Sequence, residues 1–174
     1  MYQLARALEK AGGAEVEAFE LYRTASEAGH PAAMADLAYM YETGKGVAKD
    51  AVEAVVWYRE AADAGYAPGM TRLGFIYETG EGVTEDDSVA AAWHSKAADA
   101  GNAAAMNRLG FMYQNGKGVA KDEAEAVLWY RKAGDAGYAP ALNKLGFMYE
   151  NGTSVTKDDT EALVWYRKAA AEGG

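Results

Sequence analysis

The spacing of four near-copies constrains this chain more than any other feature. Leu37, Leu73, Leu109 and Leu145 each open a stretch of the kind Leu109-Gly110-Phe111-Met112-Tyr113-Gln114-Asn115-Gly116-Lys117-Gly118-Val119-Ala120-Lys121-Asp122, and they lie 36 residues apart without insertion or deletion. A fixed period in that range belongs to solenoids, whose units are too small to bury an apolar face alone and bury it against their neighbours. Function is therefore expected on a surface, not in one catalytic cleft.

Four full units follow from the frame, 31–66, 67–102, 103–138 and 139–174. Each reads as helix, Gly-containing loop, helix and short Gly turn. In the first helix Ala33, Leu37 and Tyr41 recur at i, i+4 and i+8, the spacing of one helix face, and the later copies are Gly69/Leu73/Tyr77, Ala105/Leu109/Tyr113 and Ala141/Leu145/Tyr149. Ala38, Gly74, Gly110 and Gly146 beside the Leu cost helix propensity, so close approach of a paired helix is expected there. Gly44, Gly80, Gly116 and Gly152 are placed to end that helix with a left-handed residue. Val47, Val83, Val119 and Val155 then supply one apolar anchor per loop.

Asp50, Asp86, Asp122 and Asp158 precede the second helix, and Glu53, Glu125 and Glu161 complete a capping-box arrangement at three of them. Each loop has too few convergent carboxylates to encircle calcium, so these acids are expected to start helices. In the second helix Ala54, Trp57, Tyr58 and Ala61 fall at i, i+3, i+4 and i+7, with the rings expected to fill space between two close helices. Gly65, Gly101, Gly137 and Gly173 close the units. Counting 36 back from Trp57, Tyr58, Ala61 and Gly65 lands on Leu21, Tyr22, Ala25 and Gly29, so 1–30 reads as a degenerate first unit. Its first helix, Met1 to Ala11, ends at Gly12-Gly13, and Arg6, Glu9 and Lys10 are candidates for the polar outer face of a cap. The expected fold is all-α, one continuous α/α superhelical solenoid of four full repeats plus this N-terminal unit.

Charge narrows the partners. A net charge of −9 and a pI near 4.7 speak against nucleic acid or anionic lipid, which need a basic footprint, and point to a basic or mixed-charge protein. No cysteine is present, which removes disulfides and thiol chemistry. No run is long enough to span a bilayer, and the N-terminus lacks the apolar core of a signal peptide. A soluble chain is expected, cytoplasmic, or periplasmic or secreted if a leader has been removed.

The pattern Leu-Gly-x-Met-Tyr-x-x-Gly-x-Gly-Val-x-x-Asp, followed by Ala-x-x-Trp-Tyr-x-x-Ala-Ala-x-x-Gly, resembles the Sel-1-like repeat family, relatives of the tetratricopeptide repeat. It covers 31–174 four times and 14–30 in part, departing at Ser154 for the second loop Gly, His94 for Tyr, Ile76 for Met and Ala38 for Gly. The resemblance implies a right-handed α-superhelix acting as an adaptor or scaffold for protein complexes. Some cysteine-rich secreted relatives are linked to β-lactam binding or hydrolysis, and this chain lacks their cysteines.

Comparing units within the chain separates scaffold from candidate surface. Units 31–66 and 103–138 share 24 of 36 residues, and five of the differences are Ala35/Asn107, Asp36/Arg108, Tyr39/Phe111, Glu42/Gln114 and Thr43/Asn115. These fall on a face turned away from the Leu stripe, the face that lines the concave groove of tetratricopeptide-like superhelices. It carries an aromatic column, Tyr39, Phe75, Phe111 and Phe147, beside Thr71, Asn107 and Asn143. Arg72, Arg108 and Lys144, with Asp36, form a charged edge, followed by Glu42, Glu78, Gln114 and Glu150. Aromatic and Arg side chains are enriched at binding hot spots, and amides hold extended peptide backbones.

No catalytic, cofactor or metal constellation is readable. His30 and His94 are the only histidines, in a turn and at a position filled by Tyr elsewhere. The Gly-x-Gly loops follow helices and lack the strand a phosphate-binding loop needs. The expected function is a non-enzymatic interaction module without cofactor, gripping a peptide or protein segment. A self-associating scaffold, natural or consensus-like and engineered, stacking head-to-tail through its C-terminal repeat, is the alternative from another class. A hydrolase is a third, by analogy alone.

Overall fold

A computed structural model describes residues 1–172, and among these the chain forms ten α-helices and no strand. They are α1 (Tyr2–Ala11), α2 (Glu15–Glu27), α3 (Pro31–Thr43), α4 (Ala51–Asp63), α5 (Ala67–Thr79), α6 (Asp87–Asp99), α7 (Ala103–Asn115), α8 (Glu123–Asp135), α9 (Ala139–Asn151) and α10 (Asp159–Glu172). They divide into two compact units, Met1–Asp86 with α1 to α5, and Asp87 onward with α6 to α10. Within each unit every helix packs on the next in sequence, the arrangement of helical-hairpin repeats. The expected closing turn at Gly173 lies outside the described residues.

Apolar periodicity becomes core directly. In the first unit Ala5, Ala18, Phe19, Tyr22, Ala25, Ala33, Leu37 and Met40 form one buried cluster, with Val47 of the loop packed against it. In the second, Ala126, Val127, Tyr130, Ala133, Ala141, Leu142, Leu145, Met148, Trp165 and Ala169 do the same, with Val155 as the loop anchor. Each fully buried Leu contributes about 2 kcal/mol relative to exposure.

The small residues of the first helix are explained by the second. A Cβ on Gly110 would lie 2.8 Å from the Tyr130 ring, and one on Gly146 would lie 2.6 Å from that of Tyr166. The helices approach closely because a tyrosine ring lies flat on a glycine. Trp165 is buried in the core as expected, but the other three tryptophans are less buried than the pattern predicts. Trp57, Trp93 and Trp129 are only half-buried, and Lys96, Lys132 and Lys168 sit over the Trp93, Trp129 and Trp165 rings at 4.2, 3.8 and 4.3 Å. Tyr is the knob between helices; Trp93 and Trp129 are half-buried with a lysine one turn on covering the ring, while Trp165, covered in the same way, stays in the core.

The loops also differ in one respect. The Asp50 carboxylate accepts from the N–H groups of Val52 and Glu53, as an N-cap should, and Asp122 and Asp158 do likewise toward Glu125 and toward Thr160 and Glu161. The reciprocal half of the capping box is not what holds the cap. The Asp50 N–H donates to the Tyr41 carbonyl at 2.9 Å, with Asp86 on Tyr77, Asp122 on Tyr113 and Asp158 on Tyr149 repeating it. Glu53 is left to accept from the Trp57 indole at 3.1 Å. The loop is stitched to the first helix, so the cap N–H has no need of glutamate.

Candidate functional site

In the first unit the variable face is carried by α3 and α5. The Tyr39 ring is 41 % exposed, with the Lys45 ammonium 5.1 Å from its centroid, and Phe75 is half-buried. Thr71 is buried and donates its hydroxyl to the Ala67 carbonyl at 3.0 Å, so its polar group is engaged on its own helix. Arg72 is held by Glu42. Its Nε donates to Glu42 Oε2 at 2.9 Å and a second nitrogen pairs with Oε1, while the Tyr58 hydroxyl donates to Oε2 at 2.8 Å. Glu78, at the equivalent position, is also buried.

In the second unit α7 and α9 carry the equivalent face. Phe147 is 49 % exposed and Asn143 is exposed, while Phe111, Asn107, Arg108, Lys144 and Gln114 are half-buried. The Arg108 guanidinium lies 4.5 Å from the Phe111 centroid, and the Lys144 ammonium lies 5.8 Å from that of Phe147. Gln114 accepts from the Tyr130 hydroxyl at 3.3 Å, and Glu150 from that of Tyr166 at 2.8 Å.

A contact within three of the hairpins, α3/α4, α7/α8 and α9/α10, therefore sits beside this face, and sequence reading missed it. The last turn of the first helix presents a carboxylate or amide to the tyrosine hydroxyl of the second, sixteen residues on. Burial first, and in the Tyr22 case the hydrogen bond to Glu9 next, pushes Tyr22 and Tyr58 well above the ordinary phenol value, and burial pushes Tyr130 up to about 12. Tyr22 donates to Glu9 at 2.9 Å across thirteen residues, so Glu9 is drawn inward instead of lying on the polar outer face of a cap. One turn further, Thr43, Thr79, Asn115 and Asn151 donate back to the carbonyls of Tyr39, Phe75, Phe111 and Phe147. Those alternatives are interchangeable because Thr and Asn satisfy the same carbonyl.

At the first unit's edge, burial pushes the Asp36 carboxyl above the usual carboxylate range; the Tyr2 hydroxyl opposes this, Glu9 adds to it, and Arg6 and His30 counter it. Tyr2 is itself pushed up to about 12, by burial and then by Asp36. The folded chain holds the Asp36 proton more tightly than the unfolded chain does. Stability is consequently lost as pH rises from the ordinary carboxylate value through the raised one. Asp36→Asn is expected to melt above the parent at pH 7 and to lose that advantage at pH 3, read by thermal denaturation at both pH values.

His30 caps α3, its Nδ1 accepting from the Ala33 N–H at 3.3 Å, with its ring against Tyr2. His94 is fully buried at the tyrosine position. Among the described residues no three His, Asp or Glu side chains converge as metal ligands, and no helix is long and apolar enough to cross a membrane.

Consecutive two-helix hairpins on a 36-residue frame, a tyrosine on a glycine within the hairpin and a glycine-rich loop between its helices define an α/α repeat protein. The Sel1 repeat profile matches residues 1–30, 31–66, 67–102, 103–138 and 139–174, and the chain belongs to the Sel1 repeat family. None of the curated proteins matches it. Among solved structures it is similar to c5321, a protective antigen present in uropathogenic Escherichia coli, with 39 % identity, TM-score 0.85, and coverage of 90 % of this chain and 33 % of that one. A Sel1 repeat protein from Oxalobacter formigenes matches with 37 % identity and TM-score 0.87 over 92 % of this chain and 65 % of that one. The immunity protein Pa5087 from Pseudomonas aeruginosa matches with 31 % identity and TM-score 0.68 over 99 % and 65 %. This chain thus spans a third of the first of these proteins and somewhat under two thirds of the other two.

Proposed function

We propose that the chain is a non-enzymatic adaptor that holds a peptide or protein segment on the face of its first helices. The observation that carries this is the exposure of Tyr39 and Phe147, at 41 % and 49 %, at a repeat position with no core role, while the Leu, Met and Ala positions of the same helices are buried. Support comes from the family, whose members are interaction scaffolds, and from a neighbour named as an immunity protein. In the second unit Arg108 and Lys144 lie against Phe111 and Phe147, with Asn107 and Gln114 on the helix of the one and Asn143 on that of the other; in the first, α5 carries Arg72 beside the buried Thr71 and Glu78. The net charge of −9 favours a basic or mixed-charge partner at long range.

Peptides selected from a displayed library on the intact chain test this. Phe147→Ala or Tyr39→Ala should weaken their binding by about 2 kcal/mol, roughly thirtyfold, with melting temperature unchanged. Undiminished binding by both variants would reject the reading. A second reading, self-association through α10, is favoured by Leu163, 54 % exposed where its equivalents Val55 and Val127 are 7 % and 8 % exposed. Light scattering across concentration tests it, and a strictly monomeric species would count against it.

A further inference from the structure

The geometry points to a carboxylate-reading subsite on the second unit, anchored by Lys144, for a partner segment that places an acidic residue beside an apolar one. It deepens the interaction-surface reading and rests on it. In the first unit the cation at this repeat position, Arg72, is neutralised by Glu42, which is also fixed by the Tyr58 hydroxyl. In the second unit the residue equivalent to Glu42 is Gln114, uncharged, and it still accepts from its tyrosine, Tyr130. The scaffold contact is kept and the charge is gone.

Lys144, the equivalent of Arg72, has no carboxylate partner among the described residues. Lys144 is half-buried, and its ammonium instead lies 5.9 Å from the Tyr130 ring centroid and 5.8 Å from that of Phe147. Two rings attract a cation but accept poorly from its three N–H donors, and partial burial strengthens whatever anion reaches it. Phe147, one turn on, offers a half-exposed apolar ring, and the neighbouring Asn143 offers an exposed amide for a main-chain group. The chain as a whole is acidic and repels a purely acidic tail at long range, so the fitting segment is of mixed charge with one carboxylate flanked by apolar side chains.

The test uses the intact chain and three matched sets of immobilised extended peptides in which a Leu or Phe is flanked by Asp or Glu, by Asn or Gln, or by Lys. The acidic set should be preferred about tenfold over its amide counterpart. Lys144→Gln should erase that preference and Lys144→Arg keep it. Gln114→Glu, which returns the carboxylate that Arg72 has, should reduce it several-fold without lowering the melting temperature. Equal binding of the sets, preference for the Lys set, or acidic preference surviving in Lys144→Gln would overturn the subsite while leaving the interaction surface standing, provided Phe147→Ala still weakens every set. Absence of binding by all three sets would sink both.

Discussion

Gly118→Ala is expected to destabilise the chain by about 3 kcal/mol, the largest effect of any single methyl addition to this fold, and to lower its urea midpoint accordingly. Gly118 has φ +67°, where an alanine Cβ already costs about 1 kcal/mol. The added atom would also land on the Asp87 carbonyl, and that obstacle is backbone at the start of α6, unable to swing aside. The same approach recurs in the first unit, where a Cβ on Gly82 would meet the Ala51 carbonyl oxygen at 2.5 Å and one on Gly46 would strike that of Glu15. These glycines are the points at which each loop touches the preceding second helix. Ser154 supplies the internal control, since it occupies the fourth copy of the position with φ +63°. Ser154→Gly should stabilise by about 0.5–1 kcal/mol through relief of that strain. A Gly118→Ala protein that unfolds with the parent would show that the loops do not bear on the preceding hairpin as described.

How much of this was legible beforehand follows from what periodicity can carry. The helices, their glycine ends and the Leu stripe were readable because a repeat multiplies one weak pattern several times over. The glutamate–tyrosine contact was not, although its signal was present. Glu42, Glu78, Gln114 and Glu150 stand sixteen residues before Tyr58, His94, Tyr130 and Tyr166, yet an acid at a helix end looks like surface until the partner helix is in place. Glu9 was hidden for a further reason. Its contact with Tyr22 spans thirteen residues, so the first unit is three residues out of register and counting back 36 from Glu42 lands on Arg6. For the candidate surface, sequence alone could not grade the rings: Tyr39 and Phe147 are exposed while Phe75 and Phe111 are half-buried. Sequence alone could not tell that Thr71 is turned onto its own helix, because a hydroxyl serves the surface and the i−4 carbonyl equally well.

Glu42→Ala is expected to cost about 2–3 kcal/mol, since Glu42 joins three helices through one carboxylate. Its side chain is 10 % exposed and receives Tyr58 from α4 and Arg72 from α5. Truncation leaves the buried Tyr58 hydroxyl without its acceptor, while Arg72, 38 % exposed, rehydrates in part and holds the loss below that of a fully buried pair. Glu42→Gln should cost only about 1 kcal/mol, because the second unit already runs on this chemistry, with Gln114 accepting from Tyr130. The two substitutions divide the network into its hydrogen-bond and charge components. Pairing each with Arg72→Met in a double-mutant cycle should return a coupling of about 1–2 kcal/mol for the charge component, shrinking when Glu42 is already Gln. If Glu42→Gln were as damaging as Glu42→Ala, the charge and not the tyrosine contact would be what the hairpin needs. Gln114 would then mark a weakened hairpin instead of a repeat whose cation has been released for a partner.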